Sequence, residues 1–275
     1  MNQKKIYCFS SEYFSYIDNL QYTPVGLGDK YFPSHWLRDN TGENISHKNS
    51  YYDMYTFHYW LWKNQISTIN ENTWIGFCTY RRFWSAISSV QNTNYNNFKE
   101  NILSNIPNEW NDHEVILPEK LYFSSGRRIK ILKNSPTFFL KNPSFFFFSK
   151  KHTIKTHFEI FHDPEILKNS LQFIENNERK DFQDYINNEY FHPWNLFFCR
   201  SKKLLIKYYE SVFPWLFKCE NKFGFSKLGL KGYKTQRIYA YLAERYLSYW
   251  FEKYSNYRTW PIIFLDKDTQ LKLKN

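Results

Sequence analysis

The chain has 275 residues, 42% hydrophobic and 23% charged, with a formal charge of +11, a balance that suits a soluble α/β-sized domain with its own core. No run approaches the roughly 18 uninterrupted apolar residues of a membrane span, and Met1 leads into Lys4 and Lys5 rather than a signal peptide's apolar stretch, so a cytoplasmic location is expected. Cys8, Cys78, Cys199 and Cys219 form no Cys-x-x-Cys pair, which argues against a zinc site and for buried free thiols.

Taken in chain order, Lys4 to Ser10 reads as a first strand, short and β-rich. Residues 19–37 read as irregular, broken by Pro24, Gly26, Gly28 and Pro33, and Leu37 to Ser46 reads as a polar loop of turn-forming residues. Ser50 and Asp53 are spaced as a capping box for a helix that is apolar on nearly every face through Trp62, and so buried. Trp74–Cys78, Glu114–Pro118 and Leu196–Cys199 read as buried strands. Ser201 caps a helix that Pro214 should kink. A last helix runs from about Thr235 to Tyr254, and Pro261–Leu265 closes as a strand. The alternation predicts one continuous α/β domain over 1–275 around a central, mostly parallel sheet flanked by helices. Ligands then bind beyond the C-terminal strand ends, which puts Thr79–Phe83 in the site.

The charge is uneven. Of the 37 basic residues, nine fall between Lys120 and Phe158, where there is no Asp or Glu; the other 28 nearly balance the 26 acids. A basic, aromatic insertion at about 120–156 therefore points to a local anionic partner, and peripheral contact with the inner-membrane surface is expected. Within it, Phe145–Phe148 reads as a buried strand.

Several residues could carry chemistry. Tyr80-Arg81-Arg82 follows a strand, and its guanidiniums could neutralise a diphosphate or make structural ion pairs. Arg38, Asp39, Asn40 and Asn44 sit in a loop suited to sugar hydroxyls, or to a plain turn. His152, His157, His162 and His192 match no metal spacing, and no metal site is assigned. His157 and Asn195 are read as binding residues. Glu244 and Arg245, inside an apolar helix, are either a salt bridge or part of the site.

Together these motifs resemble a family of bacterial polysaccharide galactofuranosyltransferases. Its hallmarks are an RDNTGDNIS-x-KN loop, a YWxWKN helix, a YIGLxHYRRYF strand-turn, an NMFIM strand and a SERLLNVW helix. This chain offers Leu37–Ser46 with Lys48-Asn49, Trp60–Asn64, Trp74–Phe83, Asn195–Cys199 and Ala243–Trp250, in the same order. Thr79 stands where the family usually has His, and the segment 123–151 is longer and more basic. The resemblance implies a GT-A-like nucleotide-sugar fold, a UDP-galactofuranose donor and a lipid-linked glycan acceptor of capsule or O-antigen synthesis. No cofactor is certain, and Mn²⁺ or Mg²⁺ dependence stays open, because arginines stand where many such enzymes hold a metal.

An inverting displacement needs a base, for which Asp39, Asp53, His192 and Glu244 are the candidates. N-acetylated galactofuranose and galactopyranose are alternative sugars. A nucleic-acid-binding protein and an inactive glycan-binding subunit are the more distant rivals, and no nucleic-acid partner is expected. Homo-oligomerisation is left open.

Overall fold

A computed structural model of the chain describes residues 3–89, 97–123, 152–225 and 236–265, and the chain divides into two units. The first draws on residues 1–119, 196–210 and 251–275, the second on 120–195 and 211–250. The Phe145–Phe148 run and the segment 124–151 lie outside the described residues.

Unit 1 is built on a sheet. In β1 (Lys4–Ser10) the run Ile6–Ser10 is buried on both faces, as expected of a central strand in a parallel sheet. On one side it pairs in parallel with β2 (Thr23–Gly26), which pairs in parallel with β3 (Leu37–Arg38). On the other side lies β4 (Trp74–Thr79), parallel and buried throughout. The α/β expectation with a largely parallel sheet therefore holds.

Residues 19–37 are not simply irregular, because they hold β2. Its four residues are too few, and too rich in breakers, to give a pattern of their own. At Gly26 a Cβ would run into the Phe32 ring, so glycine lets that ring cover the strand end.

Beyond β4 the sheet mixes directions. The order is β10-β6-β9-β4-β1-β2-β3, with β6 (Val115–Pro118) parallel to β10 (Tyr257–Trp260). The third apolar run forms β9 (Phe198–Cys199), antiparallel to both β4 and β6. Gly76 lies opposite Phe198, and a side chain there would collide with the Phe198 ring. After β4 the chain turns through Tyr80 and Arg81 into β5 (Arg82–Trp84), which pairs with β11 (Ile262–Phe264). Pro261 separates β10 from β11, so the expected closing strand is two short ones.

The helical region differs from the capping-box expectation. α1 (Ser15–Asp18) follows β1. α2 (Asn49–Tyr52) stops before Asp53, whose backbone takes φ +50° and ψ −132°. Ser50 therefore lies inside α2 and no capping box forms. The Asn49 side-chain amide instead donates to the Asp53 carbonyl at 3.0 Å and fixes the turn. α3 (Tyr55–Trp60) is buried on every residue, as its all-round apolar pattern predicts, and continues as a π-helical turn over Leu61–Gln65. Phe57 of α3 meets Tyr7 of β1 at 4.9 Å between ring centroids, and Phe77 meets Phe197 at 4.7 Å. After β5 comes the short α4 (Phe98–Asn101). All four cysteines are free and buried, as expected.

Unit 2 pairs β7 (Leu121–Tyr122) with β8 (Tyr190–Phe191) and adds α5 (Ile154–Phe161), α6 (Pro164–Ser170) and α7 (Asn176–Tyr185). Thr153 and Thr156 cap α5 reciprocally, and Asp163 accepts from the Glu165 amide at 2.9 Å to start α6. Two long helices contribute residues to each unit: α8 (Lys202–Phe223), which stays helical on both sides of Pro214, and α9 (Ile238–Tyr254). Among the described residues no helix is long and apolar enough to cross a membrane.

Candidate functional site

The strands β3, β2, β1 and β4 run in one direction, and their register brings their C-terminal ends to one edge. Ser10 lies opposite Gly26, Gly26 opposite Arg38, and Phe9 opposite Thr79. From β1 the chain turns to β2 on one side while β4 lies on the other. The ends of β1 and β4 thus flank a topological switch point, where open α/β sheets take their ligands. Arg38, Asp39, Asn40 and Tyr80-Arg81-Arg82 all follow these ends directly.

Asp39 is the buried carboxyl at this edge. It is 1% exposed, and neither carboxyl oxygen has a hydrogen-bond partner. Burial pushes its pKa above the usual carboxylate range, a shift that Thr56 and Arg38 only partly offset. Both neighbours are committed elsewhere. The Thr56 hydroxyl donates to the Asp53 carbonyl at 2.9 Å, and the Arg38 guanidinium donates to the Gly28 carbonyl and, at 3.2 Å, to that of Lys30. Arg38 also lies 4.9 Å from the Phe32 ring centroid, so it braces the β2–β3 connection.

The loop after Asp39 is fastened to α3. Trp60 Nε1 donates to Thr41 Oγ1 at 3.0 Å, and the Tyr59 hydroxyl donates to Glu43 Oε1 at 2.6 Å. Asn64 accepts from the Glu43 amide at 3.1 Å and donates to the Glu43 carbonyl at 2.8 Å. Gly42, at φ +56°, passes so close to Asn64 that a Cβ would strike its amide oxygen. Asn44 forms a local turn, donating to the Gly42 carbonyl and accepting from Ser46. The two motifs that sequence places twenty residues apart are therefore one structural unit. Asn44 is occupied by that turn, whereas Asn40 is exposed.

At the end of β4 the Tyr80 amide donates to the Phe9 carbonyl at 2.9 Å, and its ring stacks on Phe14 at 4.9 Å. Arg81 and Arg82 are half-buried, and the Arg81 carbonyl accepts from the Leu265 amide at 2.9 Å. Arg81 Nε and Thr79 Oγ1 are buried atoms without a hydrogen-bond partner. A pair of guanidiniums on a rigid strand-turn is suited to bidentate binding of phosphate oxygens.

The remaining sequence candidates, His157, His192, Asn195, Glu244 and Arg245, belong to unit 2. Arg245 is 2% exposed and pairs with Glu244; its Nη2 lies 3.3 Å from His157 Nδ1, and its guanidinium 4.3 Å from the Phe191 ring centroid. Glu244 also accepts from the Trp194 amide at 2.5 Å, at a turn where Trp194 and Asn195 both have positive φ. The amide of Asn195 donates to the Ala240 carbonyl at 3.2 Å. His192 is fully buried, and its amide donates to Ser248 Oγ at 3.0 Å. The ion pair thus holds an otherwise unfavourable backbone turn, the salt-bridge alternative weighed from sequence. Among the described residues no three His, Cys, Asp or Glu side chains converge as a metal site.

Thr56, a neighbour of Asp39, escapes sequence reasoning because it looks like an ordinary helix residue. The buried carboxyl that marks it out appears only on folding.

A family model described as a domain of unknown function, DUF4422, matches residues 5–256. No curated protein matches the chain. Among solved structures the chain is similar to the apo structure of WbbM, described as a bifunctional glycosyltransferase, with a TM-score of 0.71 at 17% identity. The alignment covers 97% of this chain and 46% of that one, so the chain spans about half the length of WbbM. At this identity the likeness is one of fold.

Proposed function

This chain belongs to the DUF4422 domain family, and we propose that it is a glycosyltransferase carrying a galactofuranose-type residue from a UDP-sugar to a lipid-linked glycan of capsule or lipopolysaccharide. The shared fold with a glycosyltransferase and the ordered motifs support the reaction class. One observation carries the reading to particular residues. At the switch-point edge, paired guanidiniums and a buried carboxyl without a hydrogen-bond partner follow strands of the same parallel set.

In the proposed step an acceptor hydroxyl oxygen bonds to the anomeric carbon as the carbon–oxygen bond to UDP breaks. The hydroxyl proton passes to a carboxylate, and attack opposite the leaving group inverts the anomeric configuration. Of the four base candidates Asp39 fits best, since burial raises its proton affinity toward working pH. Glu244 is committed to Arg245 and Trp194, and Asp53 shapes a turn. Arg81 and Arg82 stabilise the charge that develops on UDP, a role that a divalent cation fills in many related enzymes. The donor sugar is the finer part of the proposal, and N-acetylated galactofuranose or galactopyranose would use the same site. The basic segment 120–156 would face the acceptor's membrane surface.

A thermal-shift panel tests this. UDP and UDP-galactofuranose should raise Tm in EDTA as well as in Mn²⁺, since a ligand at a hundred times its Kd adds about 2.7 kcal/mol. R81A and R82A should each abolish the shift. Strict Mn²⁺ dependence would sink the arginine role, and indifference to every UDP-sugar would sink the reading.

A further inference from the structure

Unit 2 carries a pocket of about 240 Å³ among α5, α6 and α7. Its floor is apolar: Leu167 and Ile186 are buried there, and Leu171, which opens the 3₁₀ turn after α6, is half-buried. Its rim is polar. Lys155 and Glu159 stand one helical turn apart on α5 and so share a face. Gln183 comes from the end of α7 and Lys168 from α6. Backbone bonds fix the walls to one another. The Ile154 amide donates to the Asn188 carbonyl at 2.9 Å and the Lys155 amide to that of Ile186 at 2.8 Å, which ties the start of α5 to the chain leaving α7. The pocket is therefore preformed, as ligand sites mostly are.

Glu159 is half-buried, and burial pushes its pKa up; Lys155 opposes that shift and Glu165 adds to it. Among the described residues no hydrogen bond reaches its carboxylate, and none reaches the Lys155 ammonium or the Gln183 side-chain amide. The surroundings narrow what could meet these groups. Lys155 and Lys168 are matched by Glu159 and by Glu165, which lies 3.4 Å from the Lys168 ammonium, so the balance suits a neutral molecule. An acyl chain would bury Glu159 and Lys155 without partners, and a phosphate would face the Glu159 charge. A nucleotide is too large for a space below the roughly 300–1,000 Å³ of sites for drug-sized ligands. One sugar ring meets every demand. Its hydroxyls donate to the carboxylate and accept from the lysine and the amide, and its C–H face covers Leu167, Leu171 and Ile186.

We propose that this pocket binds one neutral sugar residue of the glycan acceptor. The inference rests on the glycosyltransferase reading above and adds an acceptor subsite in unit 2, whereas the groups proposed to hold the donor and take the proton belong to unit 1. Sugar binding in the pocket gives acceptor recognition that does not depend on Asp39, Arg81 or Arg82.

Amide NMR titration tests the subsite with the methyl glycosides of galactofuranose, galactopyranose and N-acetylglucosamine, with free leucine as a zwitterionic control, and with UDP. At least one glycoside should saturate with a Kd of about 1 mM, since so small a ligand has few atoms to bind with. Its shifts should gather within residues 155–187. In Glu159→Ala that Kd should rise roughly tenfold, as for a lost hydrogen bond to a charged group, while the UDP Kd stays within about twofold. Glu159→Gln keeps one acceptor oxygen and should fall between. Alanine suits a half-buried helix position, so the fold is not at stake. Saturation by no glycoside, shifts gathered elsewhere or wild-type affinity in E159A would overturn the subsite, as would leucine binding there in place of sugars. UDP binding without glycoside binding would leave the glycosyltransferase reading and remove the subsite. Glycoside binding in the pocket of a chain that binds neither UDP nor any UDP-sugar would keep a sugar site and overturn its acceptor role together with that reading.

Discussion

A carboxyl group whose oxygens have no hydrogen-bond partner, as at Asp39, loses its hydration on folding, and Thr56 and Arg38 compensate only in part. The protein responds by holding the proton more tightly, so the pKa rises above that of the unfolded chain. The sign of the linkage follows. Below the unfolded carboxylate value both states are protonated and there is no penalty. As pH climbs through the raised native value, the native state must lose a proton it holds better than the unfolded chain does, and stability falls. Asp39→Asn keeps the shape without the titration. Plotted against pH, the Tm difference between wild type and D39N should shift against wild type from about pH 4 upward and then level off. Parallel curves would mean that Asp39 is ionised and compensated. Sugar transfer should be lost in D39N at every pH, because an amide cannot accept the acceptor's proton.

At the scale of elements, the loop at Thr41–Asn44 depends on α3 and its π-helical continuation for its shape. Asn64 carries bonds to the amide and the carbonyl of Glu43 and a third to the Trp60 carbonyl. Asn64→Ala leaves these groups to water, at a cost of about 1–3 kcal/mol in urea unfolding. Amide hydrogen exchange should accelerate over residues 40–46 and not in β1 or β4. Unchanged exchange there would show that Trp60 and Tyr59 hold the loop alone. Sequence reading shows the same dependence from the other side. It found β1 and β4 to within a residue, because continuous apolar runs are local signals. It missed β2 and β3, whose four and two residues become strands only through pairing with β1 and with each other. It read Ser50 and Asp53 as a helix start because the spacing is right, although the backbone at Asp53 turns left-handed and ends a helix there. It read Leu196–Cys199 as a strand but could not see that β9 runs antiparallel, a property of its neighbours. The two arginines could be singled out because they follow the β4 run directly, and Asp39 because its loop is dense in polar turn residues. Thr56 could not, since its place beside Asp39 comes from pairing between residues distant in sequence.

Across the whole molecule, each unit holds a histidine that desolvation keeps neutral. His58 in unit 1 is fully buried against Phe77 at 4.3 Å, with Nδ1 bonded to the Tyr209 hydroxyl at 2.9 Å. His162 in unit 2 packs on Phe158 and Tyr241 at 4.6 and 4.4 Å, near the positive Arg245. Burial brings both pKa values down to about 3, with the Arg245 charge adding to the effect at His162. Above about pH 6.5 neither state carries the proton and folding is unaffected. Below it the unfolded chain gains protons that the native interior refuses, so stability falls until the native values are reached near pH 3. The slope is up to about 1.4 kcal/mol per pH unit for each imidazole, steep for a protein with a few kcal/mol to lose. Urea unfolding between pH 7 and pH 4 should show this decline. His162→Phe offers the same neighbours an apolar ring and removes one titration, so its stability should fall about half as steeply if the two histidines dominate. A wild-type curve flat over that range, or an H162F curve as steep as wild type, would place the acid sensitivity in other groups.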